Sequence, residues 1–195
     1  MKKGLIIGTI VLIITVAFLY INFFSNATKT KEQFINSNNL NRKTSMNELK
    51  ITSAAFENNS HIPSRYTCDG ADINPPLIIS GVPAKTKSLV LVVDDPDAPG
   101  GTWTHWTVWN INPETKKISS PSVLAGAVEG ITSIGKSGYH GPCPPSGTHR
   151  YFFKLYALDT KLNLPASASK PGLLNAMTNH TLAEAQLVGL YSRGK

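Results

Sequence analysis

Residues 88–99 read Ser-Leu-Val-Leu-Val-Val-Asp-Asp-Pro-Asp-Ala-Pro, an apolar run that ends in three acidic residues and two prolines. A short, continuous apolar run bounded by turn residues is typical of a strand that is buried on both faces. We therefore predict a strand over residues 88–94, followed by a turn that the prolines make rigid. A rigid loop that carries carboxylates at the end of a strand is a common way to build a pocket.

Two further segments have the aromatic and β-branched composition of strands, residues 104–111 and residues 150–158. Loops rich in Pro and Gly separate them. Helical signals are late: Pro171 can open a helix that runs to residue 177, and Thr181 with Glu184 forms a capping box before a predicted helix over residues 182–187. The predicted fold is mainly β, an antiparallel β-sandwich of Greek-key type with a few peripheral and C-terminal helices.

The N-terminus predicts a membrane segment. Lys2 and Lys3 precede an uncharged apolar run over residues 4–24, and these 21 residues reach about 30 Å as a helix, the thickness of a bilayer core. We interpret residues 1–24 as an uncleaved signal anchor that forms a transmembrane helix, with a signal peptide cleaved near Ala27 as the alternative. Residues 25–48 are then a flexible tether, and residues 49–195 form a globular domain outside the cytoplasm.

The distribution of charge argues against nucleic-acid binding. The net charge is +7, but residues 1–50 hold seven basic and two acidic residues, and residues 51–195 hold twelve basic and ten acidic residues. The globular part therefore has a charge of only +2 and no basic stripe for phosphate backbones.

The chain has two cysteines, Cys68 and Cys143, 75 positions apart and in no Cys-x-x-Cys motif. Neither a zinc site nor a thioredoxin-type motif is indicated. Outside the cytoplasm, two isolated cysteines in loops are expected to form a disulfide. Two reduced thiols in the core are the alternative.

Polar residues of functional type collect in four segments, and they include Asp95, Asp97, His105, His149 and Tyr151. Each has an ordinary structural interpretation, such as a turn carboxylate or a core histidine. If the segments converge, three chemistries are open: binding of a divalent metal, general acid–base catalysis, or binding of an anion by imidazole, hydroxyl and backbone N–H groups.

Taken in order, residues 95–99, 103–106, 141–145 and 148–151 resemble the phosphatidylethanolamine-binding protein family, also called Raf kinase inhibitor-like, in its bacterial and archaeal branch. Residues 62–70 and 180–187 add to the resemblance, which covers about residues 50–193. It implies a β-sandwich with a small pocket for phosphate-like or carboxylate groups, including a phospholipid headgroup. The residues that it implies for this pocket are Asp95 and Asp97 in the lining, His105 and His149 against the ligand, Tyr151 beside them, and Pro144 and Pro145 in a wall.

The predicted function is that of a non-catalytic binding protein with a small anion or phospholipid-headgroup pocket, held at the membrane by its N-terminal helix. The resemblance implies no cofactor, no metal ion and no catalytic residue. One alternative is inhibition of a protein partner, a peptidase or a kinase, through loops around the pocket. A further alternative is a hydrolase or lyase that uses the Asp/His set. The partner itself stays unknown, because unrelated functions share one fold.

Overall fold

A computed structural model describes residue 29 and residues 31–33, 48–121 and 124–194. The folded unit spans Asn47–Lys195, and the elements named below belong to it. The predicted tether, residues 25–48, falls almost entirely outside the described residues and stays a prediction.

Within the described residues, nine strands form two sheets. The smaller sheet contains β1 (Lys50–Ser53), β3 (Leu77–Ser80) and β6 (Lys117–Ile118), paired in the order β1-β3-β6. The larger sheet contains β2 (Ser60–His61), β4 (Ser88–Asp95), β5 (Trp103–Ile111), β7 (Val128–Glu129), β8 (His149–Leu158) and β9 (Thr181–Tyr191). Its order is β2-β9-β8-β4-β5-β7, and all its pairs are antiparallel except β2 with β9.

Strand β4 lies between β5 and β8, and all eight of its residues are buried. Val93 lies opposite Trp106 on β5 and opposite Phe153 on β8. The three strands predicted from composition are therefore confirmed. The prediction of burial on both faces of the first strand is confirmed as well.

The two sheets share one core, because Ile51, Leu77 and Ile79 of the smaller sheet pack in the same cluster as Leu91 and Val93 of β4. The opposite face of the larger sheet carries a second cluster. That cluster contains Val90, Val92, Trp109, Leu158, Leu162, Leu173 and Met177. Successive β4 side chains enter opposite clusters, as the two-residue period of a strand requires. Each such buried aliphatic side chain contributes about 1.5–3 kcal/mol.

One predicted helix is confirmed and the other is wrong. Helix α1 (Lys170–Ala176) begins one residue before the predicted start at Pro171 and buries Leu173 in the second cluster. Residues 182–187 instead belong to β9, which pairs with β8 along its whole length. Ala183, Ala185 and Leu187 alternate towards the core, and this pairing outweighs the local capping signal at Thr181.

The predictions of an N-terminal transmembrane helix and of a single-pass membrane localisation are not supported and are corrected here. No helix in the described part of the chain is long and apolar enough to cross a membrane. Helix α1 has seven residues, whereas a span needs about 20. The predicted segment itself, residues 4–24, lies outside the described residues. The supported fold class is a mainly β domain with few helices.

The predicted disulfide is confirmed: Cys68 and Cys143 are bonded, with their Cα atoms 5.4 Å apart. The bond joins the segment after β2 to the loop before β8. A cross-link between residues so far apart in sequence restricts the unfolded chain strongly.

We expect the Cys68→Ser/Cys143→Ser variant to unfold with a free energy about 4 kcal/mol below that of the wild type, because the bond closes a loop of 75 residues. Denaturant unfolding with and without a reducing agent measures the difference. The reducing agent should lower the wild-type midpoint and leave the variant unchanged, since the chain has no other cysteines. A wild-type midpoint that does not respond to reduction would contradict this prediction.

Candidate functional site

The strand order brings the polar residues of three segments together at one end of three adjacent strands of the larger sheet. Because β5 and β8 both run antiparallel to β4, the last residue of β4 adjoins the first residues of its two neighbours. Asp95 ends β4, His105 lies near the start of β5, and His149 begins β8. The apolar run that forms the central strand therefore also determines where its terminal carboxylate lies.

These residues line a cavity of about 400 Å³. Of the residues predicted for a pocket, Asp95, His105, His149 and Pro145 line it. Asp97, Tyr151 and Pro144 are not among the lining residues. The remaining lining residues are Cys68, Asp72, Ala98, Pro99, Trp103, Ile134, His140, Gly141 and Cys143.

The Asp95 carboxylate is the fixed centre of the site. The Nδ1 atom of His149 donates to Asp95 Oδ2 at 2.7 Å, and the backbone N–H of Asp97 donates to Asp95 Oδ1 at 2.8 Å. Asp95 is 3% and His149 7% exposed. A buried carboxylate with both oxygens hydrogen-bonded holds its partners in fixed positions, so the orientation of His149 is determined before any ligand arrives.

Asp97 forms an ion pair with Arg150, which holds the loop that carries Asp95 in place. The Arg150 Nε and Nη2 atoms donate to the two Asp97 oxygens at 2.9 and 2.7 Å, and the Arg150 backbone N–H donates at 3.0 Å. These hydrogen bonds lower the pKa of Asp97 to about 2. This bidentate pair links the turn after β4 to the start of β8 and so to His149.

His105 and His140 hold each other through two hydrogen bonds. The His140 backbone N–H donates to the His105 carbonyl at 3.0 Å, and the His105 Nδ1 donates to the His140 carbonyl at 2.7 Å. Burial lowers the pKa of His105, against the opposing effect of the His140 carbonyl. The Nε2 atom of His105 has no hydrogen-bond partner among the described residues.

Tyr151 lies behind the lining. Its side chain is fully buried, and its ring meets the His105 ring edge-on with centroids 5.2 Å apart. Burial, together with the nearby negative charge of Asp95, raises the pKa of Tyr151, so its hydroxyl stays protonated. The Tyr151 hydroxyl lies near the Asp95 carboxylate and the Cys143 backbone.

Sequence reasoning missed Asp72 and His140, which also line the cavity. The Asp72 Oδ1 atom accepts the Gly141 N–H at 2.6 Å, and His140 Nδ1 lies 3.9 Å from Asp72 Oδ2. Gly141 marks a place where another segment can approach the backbone closely, but it does not identify Asp72 as the partner. A Cβ atom at Gly141 would lie 2.6 Å from the Tyr66 carbonyl oxygen and 2.8 Å from Asp72 Oδ1.

The mouth of the cavity is apolar. Trp103 and Ile134, which line it, are 39% and 44% exposed. Trp103 is in register with Asp95 across the β4–β5 pair, so it is fixed by the same strand pairing. Trp106 and Trp109 are buried and do not line the cavity, so Trp103 is the tryptophan in direct contact with it.

Comparison with known proteins identifies the family of the chain. The model of a family described as phosphatidylethanolamine-binding protein matches residues 52–192. The chain belongs to the phosphatidylethanolamine-binding protein family. The resemblance stated from the sequence is confirmed, and the bacterial and archaeal relatives fit the predicted branch.

Relatives of this phosphatidylethanolamine-binding protein family member match about three quarters of the chain. A Methanothermobacter thermautotrophicus protein named UPF0098 protein is 52% identical over an alignment of 151 residues, which covers 75% of this chain and 100% of that protein. A Chlamydia trachomatis homologue of the family has a crystal structure with a TM-score of 0.74 and 42% identity, covering 76% of this chain and 99% of its own. The structure of Escherichia coli YbcL gives a TM-score of 0.71 at 31% identity, covering 75% and 99%.

We expect Gly141→Ala to destabilise the protein by roughly 1–3 kcal/mol, because its Cβ atom would overlap backbone atoms of Tyr66 and Thr67. Gly172→Ala is the matched control, since the nearest atom to a Cβ there is Ser169 Oγ at 3.7 Å. Thermal unfolding of both variants measures the difference. Equal midpoints for the two variants would contradict the close approach at Gly141.

The Asp97–Arg150 pair predicts an acid-dependent contribution to stability. A carboxylate whose pKa is lower in the folded state stabilises the protein above its unfolded pKa, and this stabilisation is lost as the pH falls towards the folded value of about 2. We expect Asp97→Asn to cost about 1 kcal/mol above pH ~4, a small value because the Arg150 side chain is 55% exposed.

Urea unfolding of the wild type and Asp97→Asn at several pH values between about 2 and 6 measures this contribution. The difference in the free energy of unfolding should be constant at the upper end and should shrink towards pH ~2. A difference that is the same at every pH would mean that ionisation of Asp97 contributes nothing.

Proposed function

We propose that the protein binds a small anionic group, such as a phosphate or a carboxylate, in the cavity lined by Asp95, His105 and His149. The observation that carries this proposal is that these side chains come from three adjacent strands and meet where those strands begin or end. A concave site with a few convergent polar groups in an apolar surround is the usual form of a small-molecule site.

An unsatisfied polar atom supports a ligand at this place. His105 Nε2 is buried and lacks a protein partner among the described residues. Buried polar atoms in native proteins nearly always have a partner, which here must be a ligand atom or an ordered water. The Tyr151 ring contacts the His105 ring edge-on at the same place.

The family name supports the chemical class of the ligand. The matching family is described as phosphatidylethanolamine-binding, and a phospholipid headgroup presents a phosphate. His149 is the group best placed to contact such an anion, because Asp95 holds its Nδ1 in place and the residue lines the cavity. The protein is then a binding protein, and inhibition of a protein partner stays a prediction.

A thermal-shift titration of the full chain with phosphate, phosphoethanolamine and acetate tests the proposal. A ligand that binds only the folded state raises the unfolding temperature, and the rise grows with its concentration. We expect at least one of these ligands to stabilise the wild type. We also expect His149→Gln to reduce that stabilisation by at least half at a concentration near half-saturation.

His180→Gln is the matched control. His180 Nδ1 also donates to an aspartate, Asp159 Oδ1 at 2.8 Å, but this pair is exposed and does not line the cavity. The control should keep the wild-type response. An identical response of both variants, or no response of the wild type to any of the three ligands, would refute an anion site at His149.

A further inference from the structure

The disulfide is part of the cavity wall. Cys68 and Cys143 both line the same cavity as His105 and His149. The bond joins two segments of the chain, and each segment contributes further residues to the wall. These residues are Asp72 beside Cys68, and His140, Gly141 and Pro145 beside Cys143. Six of the thirteen lining residues therefore lie on the two segments that this one covalent bond connects.

The bond is also within reach of solvent. Cys143 is exposed and Cys68 is half-buried, and neither cysteine belongs to the two core clusters. Thiol–disulfide exchange requires that a thiolate reaches one of the two sulfur atoms, so exposed disulfides are the ones that react in the folded state. A small thiol can therefore reach Cys143 Sγ without unfolding the core.

Weaker contacts remain between the two segments when the bond is open. Three hydrogen bonds among the described residues also connect them. They run from the Cys68 N–H to the Pro142 carbonyl at 3.1 Å, from the Gly141 N–H to Asp72 Oδ1 at 2.6 Å, and from the Tyr139 hydroxyl to the Tyr66 carbonyl at 2.8 Å. Each hydrogen bond restricts the chain much less than the covalent closure of a long loop does. Opening the disulfide should therefore loosen this part of the wall while the paired strands keep the fold.

The loosened loop is connected to a histidine of the cavity. The His140 N–H donates to the His105 carbonyl at 3.0 Å, and the His105 Nδ1 donates to the His140 carbonyl at 2.7 Å. Motion of the loop that carries His140 therefore reaches the His105 ring. A wall that must be ordered again when a ligand enters reduces the affinity, because the lost conformational freedom counts against binding.

We propose that the Cys68–Cys143 disulfide is a redox modification site that sets the affinity of the cavity. The oxidised protein binds its anion tightly, and reduction by a dithiol weakens binding without unfolding the domain. This inference rests on the proposed function, because it concerns the same cavity.

The reaction is an exchange of two disulfides. A thiolate of the dithiol attacks Cys143 Sγ, the bond between the two cysteines breaks, and Cys68 leaves as a thiolate that takes up a proton. The second sulfur of the dithiol then attacks the mixed disulfide and releases Cys143 as a thiol. The reductant ends as a disulfide, so two electrons and two protons pass to the protein. A disulfide oxidant reverses these steps.

The test compares the oxidised and the reduced full chain. Isothermal titration calorimetry measures the affinities of both forms for phosphate, phosphoethanolamine and acetate. Dithiothreitol is the reductant, because it is uncharged at neutral pH and does not compete for an anion site. We expect the reduced protein to bind at least about fivefold more weakly, the lower end of the usual coupling between two sites. Its circular dichroism spectrum should stay that of the oxidised protein.

Two variants separate the effect on the cavity from a general loss of stability. Cys68→Ser/Cys143→Ser should bind as weakly as the reduced wild type and should not respond to dithiothreitol. Leu173→Ala is the matched control, because Leu173 is buried in the second cluster and does not line the cavity. This control is destabilised by the lost core packing, yet it should keep the affinity of the oxidised wild type.

A measurement on the wild type alone uses the reciprocity of coupled equilibria. If reduction weakens binding by a given factor, a saturating ligand makes the disulfide harder to reduce by the same factor. The fraction of reduced protein in dithiothreitol redox buffers, measured by alkylation and mass spectrometry with and without the ligand, gives this factor directly. A redox equilibrium that does not respond to a ligand that binds the oxidised protein would overturn the inference.

The other outcomes distinguish this inference from the proposed function. Equal affinities of the oxidised and reduced forms would overturn the redox effect and leave the anion site in place. A disulfide that is reduced only after the domain unfolds, or a reduced domain that is unfolded at the temperature of the titration, would also overturn it, since the bond would then be purely structural. Binding of none of the three ligands to the oxidised protein would overturn both.

Discussion

The position of β4 between β5 and β8 is the constraint on which the fold and the site both depend. A strand with all eight residues buried needs a partner on each edge and a packed layer on each face. The two core clusters form the packed layers, and β5 and β8 are the hydrogen-bonded partners of β4. Because both neighbours run antiparallel, the end of β4 must meet their starts. The packing of the apolar strand therefore determines where the polar groups at its end lie.

A second constraint acts on the loop that carries His140, Gly141 and Cys143. The Cys143 disulfide, the Gly141 N–H and the two His140 hydrogen bonds tie this loop to the segment after β2 and to β5. Each hydrogen bond contributes little by itself, but together with the disulfide these contacts leave the loop little freedom. A binding site whose walls are already held in place loses less conformational entropy when a ligand enters.

The sequence predicted those parts that depend on local pattern, and it failed where distant pairing decides. The run over residues 88–94 identified β4 because its apolar part is short, rich in β-branched valine and followed by prolines, all of which favour a strand over a buried helix. Residues 182–187 were wrongly predicted as a helix, since the capping signal at Thr181 is local whereas the pairing with β8 is not. Asp72 was missed for the same reason: its contact with Gly141 joins residues 69 positions apart.

Asp97 shows a limit of reasoning from motifs. The motif over residues 95–99 places two carboxylates together, but only the partners distinguish their roles. Asp95 holds His149 inside the cavity, whereas Asp97 holds Arg150 at its outer side. The same distinction separates the two histidines. His149 Nδ1 contacts a carboxylate oxygen, whereas His105 Nδ1 donates to a backbone carbonyl oxygen. The ends of three adjacent strands thus bring two histidine rings to one cavity with different fixed partners, a difference that the motifs alone do not show.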